Sequence, residues 1–369
     1  MLHRPIFAPL AFLVANLMVA VPALAGPPAC TCTHLESLQQ EYRNAIYLEG
    51  FMRQMAEVLK AEEQRLRNLK LTSNADPDGN LDIQSTVLAM RDRYVAQKMR
   101  LPFPKVKGYM GPDEVTMPHG SCQQPETQLK AMVAGAPCDA IADATAAHEL
   151  MHRDLCRAMG AHAYWSRLPS VMTLEEAERY RAQAANLKSE IGRVLERSEL
   201  RLHGEWHYTI TGPDVEISYS NIFESDNLSR LLQGSEILSF FGQGKHTAAL
   251  ERMKAADMTC TSDSVISNDF RVTVQTDGLS FDLDYEAGDQ KFGMTVQCKS
   301  PYGEGFGMSL PIEGAGIGSG RLASSQPLVV GDNVVANDWV DGVRAIIEGG
   351  GMRLTGDPRT VLSLTCNRS

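Results

Sequence analysis

Thr173-Leu-Glu-Glu-Ala-Glu-Arg-Tyr-Arg-Ala-Gln-Ala-Ala-Asn-Leu-Lys-Ser-Glu-Ile-Gly-Arg-Val-Leu-Glu-Arg-Ser-Glu-Leu-Arg201 and, just beyond it, Trp206-His-Tyr-Thr-Ile-Thr-Gly-Pro-Asp-Val-Glu-Ile-Ser-Tyr-Ser220 contain the change of period that decides the fold class. In the first segment Leu174, Ala177, Tyr180, Ala184, Leu187, Ile191 and Val194 recur at spacings of three and four, the single apolar stripe of an amphipathic helix. Thr173 suits an N-cap, and Glu175, Glu176 and Glu178 fall in the first turns, where carboxylates meet the positive end of the helix dipole. The helix is expected to end near Arg201. Past it the chain turns to alternating or β-branched segments at Trp206–Ser220, Val265–Gln275, Leu279–Tyr285, Phe292–Gln297 and Val361–Thr365, divided by Gly, Asp, Asn and Ser. These read as strands, with a helical interruption near Ser225–Ala256. The chain is therefore α+β: a helical domain over 26–203, then a mainly antiparallel β domain over 204–369. There are no internal repeats. Gly314-Ala-Gly316-Ile-Gly318-Ser-Gly320 does not run into a Lys-Ser/Thr helix start and reads as a flexible loop rather than a phosphate loop.

Upstream lies His148-Glu149-Leu150-Met151-His152, an H-E-x-x-H sequence within a helical pattern. Four helical residues turn the chain by about 400°, so the two imidazoles share a face about 6 Å apart along the axis, a spacing at which both can grip one zinc ion. Glu149 then lies beside the metal, where a carboxylate can take a proton from a water whose pKa the metal has lowered to about 7. Asp139 reads as the N-cap and Gly160 as the stop. Ile141, Ala144, His148, Met151, His152, Leu155 and Met159 share a broad face, with Asp143, Glu149, Arg153 and Arg157 mostly elsewhere. The competing reading is a core helix whose histidines are satisfied by hydrogen bonds.

From Thr33 to about Lys70, Leu35, Leu38, Tyr42, Ala45, Met52, Met55, Leu59, Leu66 and Leu69 outline a long amphipathic helix, able to pack on its own domain or to form a coiled coil. A second helix is expected over Ile83–Met99, and Pro102, Pro104, Gly108, Gly111 and Pro112 then break the pattern. Between the two helices, Asn74, Asp76, Asp78, Asn80 and Asp82 alternate around Gly79 like the first nine positions of an EF-hand calcium loop. The twelfth position is Ser85 in place of the bidentate Glu, so a helix-connecting turn is the preferred reading over a calcium site.

Arg4, the apolar run Ile6–Val21 and the Ala23-Leu-Ala25 end outline a cleaved secretory signal over 1–25, which implies a periplasmic or extracellular protein. No later run reaches the roughly 20 apolar residues of a membrane span. A net charge of −10 argues against a nucleic-acid partner. All eight cysteines lie in the exported part. Cys30, Cys32, Cys122, Cys138 and Cys156 precede residue 205, while Cys260, Cys298 and Cys366 follow it, an odd number on each side. Full pairing thus requires a bridge between the halves. Cys138 and Cys156, eighteen residues apart on one helix, would be about 27 Å apart and must have different partners. For Cys156 a tether to another helix is preferred over a ligand role.

Over Asp139 to near Leu187 the chain resembles the zincin metallopeptidases. In gluzincin-like members the third ligand is a Glu on the next helix, often followed three and four residues later by Ala-Asp or a similar pair. Glu176-Ala-Glu178-Arg-Tyr180 matches that spacing but puts Arg179 and Tyr180 at the pair. The metzincin pattern fails, because Leu155 and Ala158 stand where Gly and His belong, and Gly160 and His162 come too late. The resemblance implies His148, His152 and Glu176 as zinc ligands and Glu149 as general base; Glu176 is placed before Glu175, Glu178 or His162 because it edges the buried stripe. The function expected is a secreted zinc-dependent hydrolase acting on a protein or peptide. The alternatives are a degenerate zincin, a non-catalytic disulfide-linked cell-envelope interaction protein, and a secreted effector with the same chemistry.

Overall fold

A computed structural model describes residues 27–72, 82–104, 120–123, 135–231, 237–262, 265–287, 292–303, 305–312, 320–324, 332–334, 348–355 and 361–368. Residues 1–25, expected as a cleaved signal, Asn74 to Asn80 of the calcium-like loop and Gly314 to Gly318 lie outside these residues.

A 3₁₀ turn at Cys32–His34 leads into α1 (Leu35–Thr72), followed by α2 (Ile83–Lys98), α3 (Asp139–Met159), the short α4 (Ala161–Trp165) and α5 (Pro169–Glu196). The strands follow: β1 (Ser198–Thr211), β2 (Val215–Ser225), β3 (Ser229–Leu231), β4 (Leu238–Ala255), β5 (Met258–Thr261), β6 (Val265–Thr276) and β7 (Phe281–Ala287). Then come β8 (Phe292–Lys299), β9 (Gly305–Ile312), β10 (Gly320–Ser324), β11 (Asp332–Val334), β12 (Arg353–Thr355) and β13 (Val361–Arg368). Among the described residues these form one sheet with the main order β10-β7-β6-β4-β2-β1-β13-β11, all pairings antiparallel. The chain is thus α+β as expected, with helices first and an antiparallel sheet after.

Helices and sheet share one core. Leu35 and Leu38 of α1, Ile141 of α3, and Leu187 and Ile191 of α5 pack in the same cluster as Phe240, Phe270, Val272 and Leu283 of the sheet. A second cluster, Phe51, Met55, Leu59 and Val87, sits between α1 and α2, and a third, Ala45, Leu48, Tyr180 and Ala184, between α1 and α5. Most of the stripe of α1 is therefore covered by its own chain, while Leu69 near its end is exposed.

Several local expectations are corrected. The N-cap of α3 is Cys138, and Asp139 is the first helical residue. A covalent constraint sets this boundary: Cys138 is bridged to Cys30, and the Asp139 carboxylate accepts from the Cys30 amide at 3.3 Å and from Ala140 at 2.7 Å. α5 starts at Pro169, ahead of Thr173. Pro169 suits the first turn, and the cap comes from α1: buried Glu63 accepts from the Ser170 amide at 2.9 Å and its hydroxyl at 2.6 Å. Leu174, assigned to the buried stripe, is exposed. α5 ends at Glu196, short of Arg201, because β1 begins at Ser198 to pair with Arg368 of β13. That start also precedes the 203/204 change of character. Within 225–256, β3 and β4 stand where a helix was expected. Trp206–Ser220 is two strands, turned where the Gly212 amide donates to the Val215 carbonyl at 2.7 Å. Asp82, the last residue of the calcium-like loop, caps α2 by accepting from the Ser85 amide, in keeping with a helix-connecting turn.

All eight cysteines are paired: Cys30–Cys138, Cys32–Cys366, Cys122–Cys156 and Cys260–Cys298. Cys32–Cys366 is the required link between the halves. Cys156 is tied to the segment before α3, where a helix partner was expected. Four disulfides point to an oxidising, extracellular-type environment. No helix among the described residues is long and apolar enough to cross a membrane.

Candidate metal centre

The face of α3 that turns inward carries Ile141, Ala142, Ala144, Thr145, His148, Glu149 and Cys156, all buried. Met151 and Met159, expected on that face, are 44% and 41% exposed. Because α3 packs against α5, His148 and His152 meet the first turns of that helix, where Ala177 and Tyr180 are buried and Glu176 borders them. The Tyr180 ring lies 4.6 Å from that of His148 and walls it on one side.

Glu176 bridges the two histidines. Its Oε1 is 3.0 Å from His148 Nε2, and its Oε2 is 2.8 Å from His152 Nε2. One ligand atom from each residue lies within 4.8 Å of the others, so the three form a group that could hold a metal ion. In a tetrahedral zinc site with bonds near 2.0–2.1 Å, neighbouring ligand atoms sit roughly 3.3 Å apart. The present contacts, made by a different carboxylate oxygen to each histidine, are shorter by only a few tenths of an ångström. The donor set of two imidazoles and one carboxylate also suits zinc chemically.

Electrostatics favour an ionised Glu176. Burial alone would raise its pKa, but hydrogen bonds from His148 and His152 outweigh that and hold it well below the usual carboxylate range. Burial lowers the pKa of His152, against the opposing pull of Glu176. An ionised Glu176 and a neutral His152 are the protonation states in which such groups ligate a metal.

The other expected residues divide clearly. Glu149 is buried at 3% exposure and stands outside the three-residue cluster. Glu175 turns to Arg167, whose Nη1 donates to both carboxylate oxygens at 2.5 Å. Glu178 is exposed and pairs with Arg53 of α1. His162 is exposed and outside the cluster.

Three residues near the histidines went unread in the sequence. Tyr164 of α4 is buried, with its hydroxyl 3.1 Å from His152 Nδ1. Arg167 lies over the Tyr164 ring, 4.1 Å from its centroid. Arg179, noted only as a departure from the gluzincin pair, is buried with a guanidinium nitrogen 3.6 Å from Glu175. His148 Nδ1, by contrast with that of His152, is buried without a partner among the described residues.

No family model matches the chain, and no curated protein or solved structure shows significant similarity to it.

Proposed function

We propose that the protein is a secreted or periplasmic zinc-dependent hydrolase, a metallopeptidase in which His148, His152 and Glu176 hold the metal and Glu149 is the general base. The observation that carries this reading is the meeting of Glu176, from a different helix, with the Nε2 atoms of both H-E-x-x-H histidines. An i, i+4 pair of histidines can arise in any core helix; a carboxylate reaching both of them from a neighbouring helix supplies the third ligand that a catalytic zinc site needs. Bound zinc would supply Lewis acidity and acidify a water to a pKa of about 7.

The chain's own groups supply the rest. His148 and His152 are two nitrogen donors fixed by α3, and Glu176 contributes one negative charge. Glu149, one residue past His148, accepts the proton of the attacking water and returns it to the leaving amine. The choice of a peptide as substrate rests on the H-E-x-x-H motif, and export rests on residues 1–25 together with the four disulfides.

Elemental analysis of the oxidised protein, refolded with zinc and freed of tags, tests the reading. About one zinc per chain is expected, lost in Glu176→Ala and kept in Glu178→Ala. Absence of stoichiometric metal from the parent protein would overturn the enzyme reading in favour of a non-catalytic envelope protein. Loss of metal in Glu178→Ala but not in Glu176→Ala would keep the site and refute its third ligand.

A further inference from the structure

The turn between α3 and α5 reaches the candidate centre through the Tyr164 hydroxyl. α3 stops at Gly160, whose φ of +84° redirects the chain into the single turn of α4. The turn is locked on several sides. The Tyr164 ring packs with Cys156, which is bridged to Cys122, and meets Trp165 edge-on at 5.2 Å. The Trp165 indole N–H donates to the Ser121 carbonyl at 3.1 Å. Arg167 covers the ring, donates through Nε to the Tyr164 carbonyl at 2.9 Å, and is held in turn by Glu175. Glu175 is the neighbour of Glu176. Two routes therefore lead from α5 to His152: directly through Glu176, and through Glu175, Arg167 and Tyr164.

We infer that Tyr164 is a positioning residue that holds His152 with Nε2 facing the metal, in both the metal-free and the loaded protein. This inference rests on the zinc reading above. In the metal-free arrangement His152 donates its Nε2 proton to Glu176, so Nδ1 carries the lone pair and accepts from the Tyr164 hydroxyl. On loading, Nε2 must turn its lone pair to the metal, and the imidazole proton moves through solvent to Nδ1, which then donates to the Tyr164 oxygen. A phenol can serve in both arrangements because it donates and accepts, whereas a carboxylate or backbone carbonyl at that place could only accept. Tyr164 thus keeps His152 hydrogen-bonded and in one orientation across the change, a task that outer partners perform for metal-bound histidines.

The test compares the parent protein with Tyr164→Phe, which deletes the hydroxyl and keeps the ring between Arg167, Trp165 and Cys156. The zinc dissociation constant, measured by competition with a chelator, should rise by about 10- to 100-fold while the far-ultraviolet circular dichroism is unchanged. If the parent binds zinc and Tyr164→Phe binds it within about twofold as tightly, the inference is overturned and the zinc reading stands. If the parent binds no zinc, both fall. A second measurement needs no variant: ring nitrogen-15 spectra of histidine-labelled parent protein should show His152 protonated at Nε2 without metal and at Nδ1 with it. Zinc bound through Nδ1 of His152 would overturn the inference whatever the variant does.

Discussion

Replacing Gly278 by Ala should cost far more stability than its place in a short turn between strands suggests. The residue lies between β6 and β7 with φ at +86°, a region that L side chains avoid at a cost of about 1 kcal/mol. Its surroundings add a second cost. A Cβ built on Gly278 would lie 2.3 Å from Ile191 Cγ2 and 3.5 Å from Leu195 Cδ1, both on α5 and both fully buried. The opposite side offers no retreat. The Gly278 carbonyl accepts from Gln39 of α1 at 2.9 Å, and Asp277 accepts from the amides of Leu279 and Ser280 at 2.9 Å and from Lys188 of α5 at 3.4 Å. Overpacking of this kind costs about 1–3 kcal/mol, giving a total of about 2–4 kcal/mol. Gly303 supplies the control, because its φ is +98° and a Cβ there meets nothing within 4 Å. Urea unfolding under oxidising conditions should show Gly303→Ala losing only the backbone share of about 1 kcal/mol. In an Ile191→Ala background, which removes the clashing methyl, the loss from Gly278→Ala should fall to that same share. Equal losses for Gly278→Ala and Gly303→Ala in the parent background would refute the contact between sheet turn and α5, and with it the shared core at that point.

Glu149→Gln should retain one zinc and lose hydrolysis by about 10²- to 10⁴-fold, measured on any peptide substrate found by library screening; an unchanged rate would assign the base elsewhere. Removing the Cys32–Cys366 bridge, which spans 334 residues, by changing both to Ser should lower stability by about 2–5 kcal/mol. Non-reducing peptide mapping of the parent should recover those two cysteines together, and finding them in separate bridges would refute the pairing. Acid should destabilise the sheet through His246, which is 1% exposed and whose pKa burial lowers to about 4. The unfolded chain, with an ordinary histidine pKa near 6.5, binds the proton first, so stability is full above about pH 6.5 and falls by up to about 3 kcal/mol as pH drops to about 4. His246→Leu should flatten that part of the stability curve, and parallel curves for variant and parent would exclude the histidine as its cause.

The elements readable from sequence were those whose own side chains set their limits. α1 and most of α5 followed from apolar residues at three and four spacing, and β6, β8 and β13 from alternating or β-branched runs. The failures have distant causes. The first turn of α5 is stabilised by Glu63, which lies 107 residues before Ser170 and is invisible to a local search for caps. β4 escaped notice because its inward positions after Phe240 include Gly244 and His246, which give no apolar period. Gly244 is there for close approach: a Cβ would lie 2.3 Å from the Glu224 carbonyl oxygen and 2.5 Å from the Phe270 ring. A strand chosen to let neighbours in reads in isolation like anything but a strand.

At the candidate centre, His148 and His152 were legible from spacing alone, and Glu176 from its place at the border of a buried stripe. The resemblance to zincins directed attention to the same carboxylate. Tyr164 and Arg167 were not legible, because α4 is a single turn with no period to read and Arg167 lies in the link beyond it. Their presence explains a feature the sequence left bare, the adjacent pair Glu175-Glu176. Two carboxylates facing one enclosed site would repel, and both could not stay ionised cheaply. The helix separates them by about 100°, so Glu176 meets the two histidines while Glu175 meets Arg167 and Arg179. Each charge is thereby compensated by a different partner. The consequence for the site is mechanical: a rotation of α5 that moved Glu176 away from His152 would also move Glu175, and with it Arg167 and the ring of Tyr164. The two supports of His152 therefore share a single helical turn and move together.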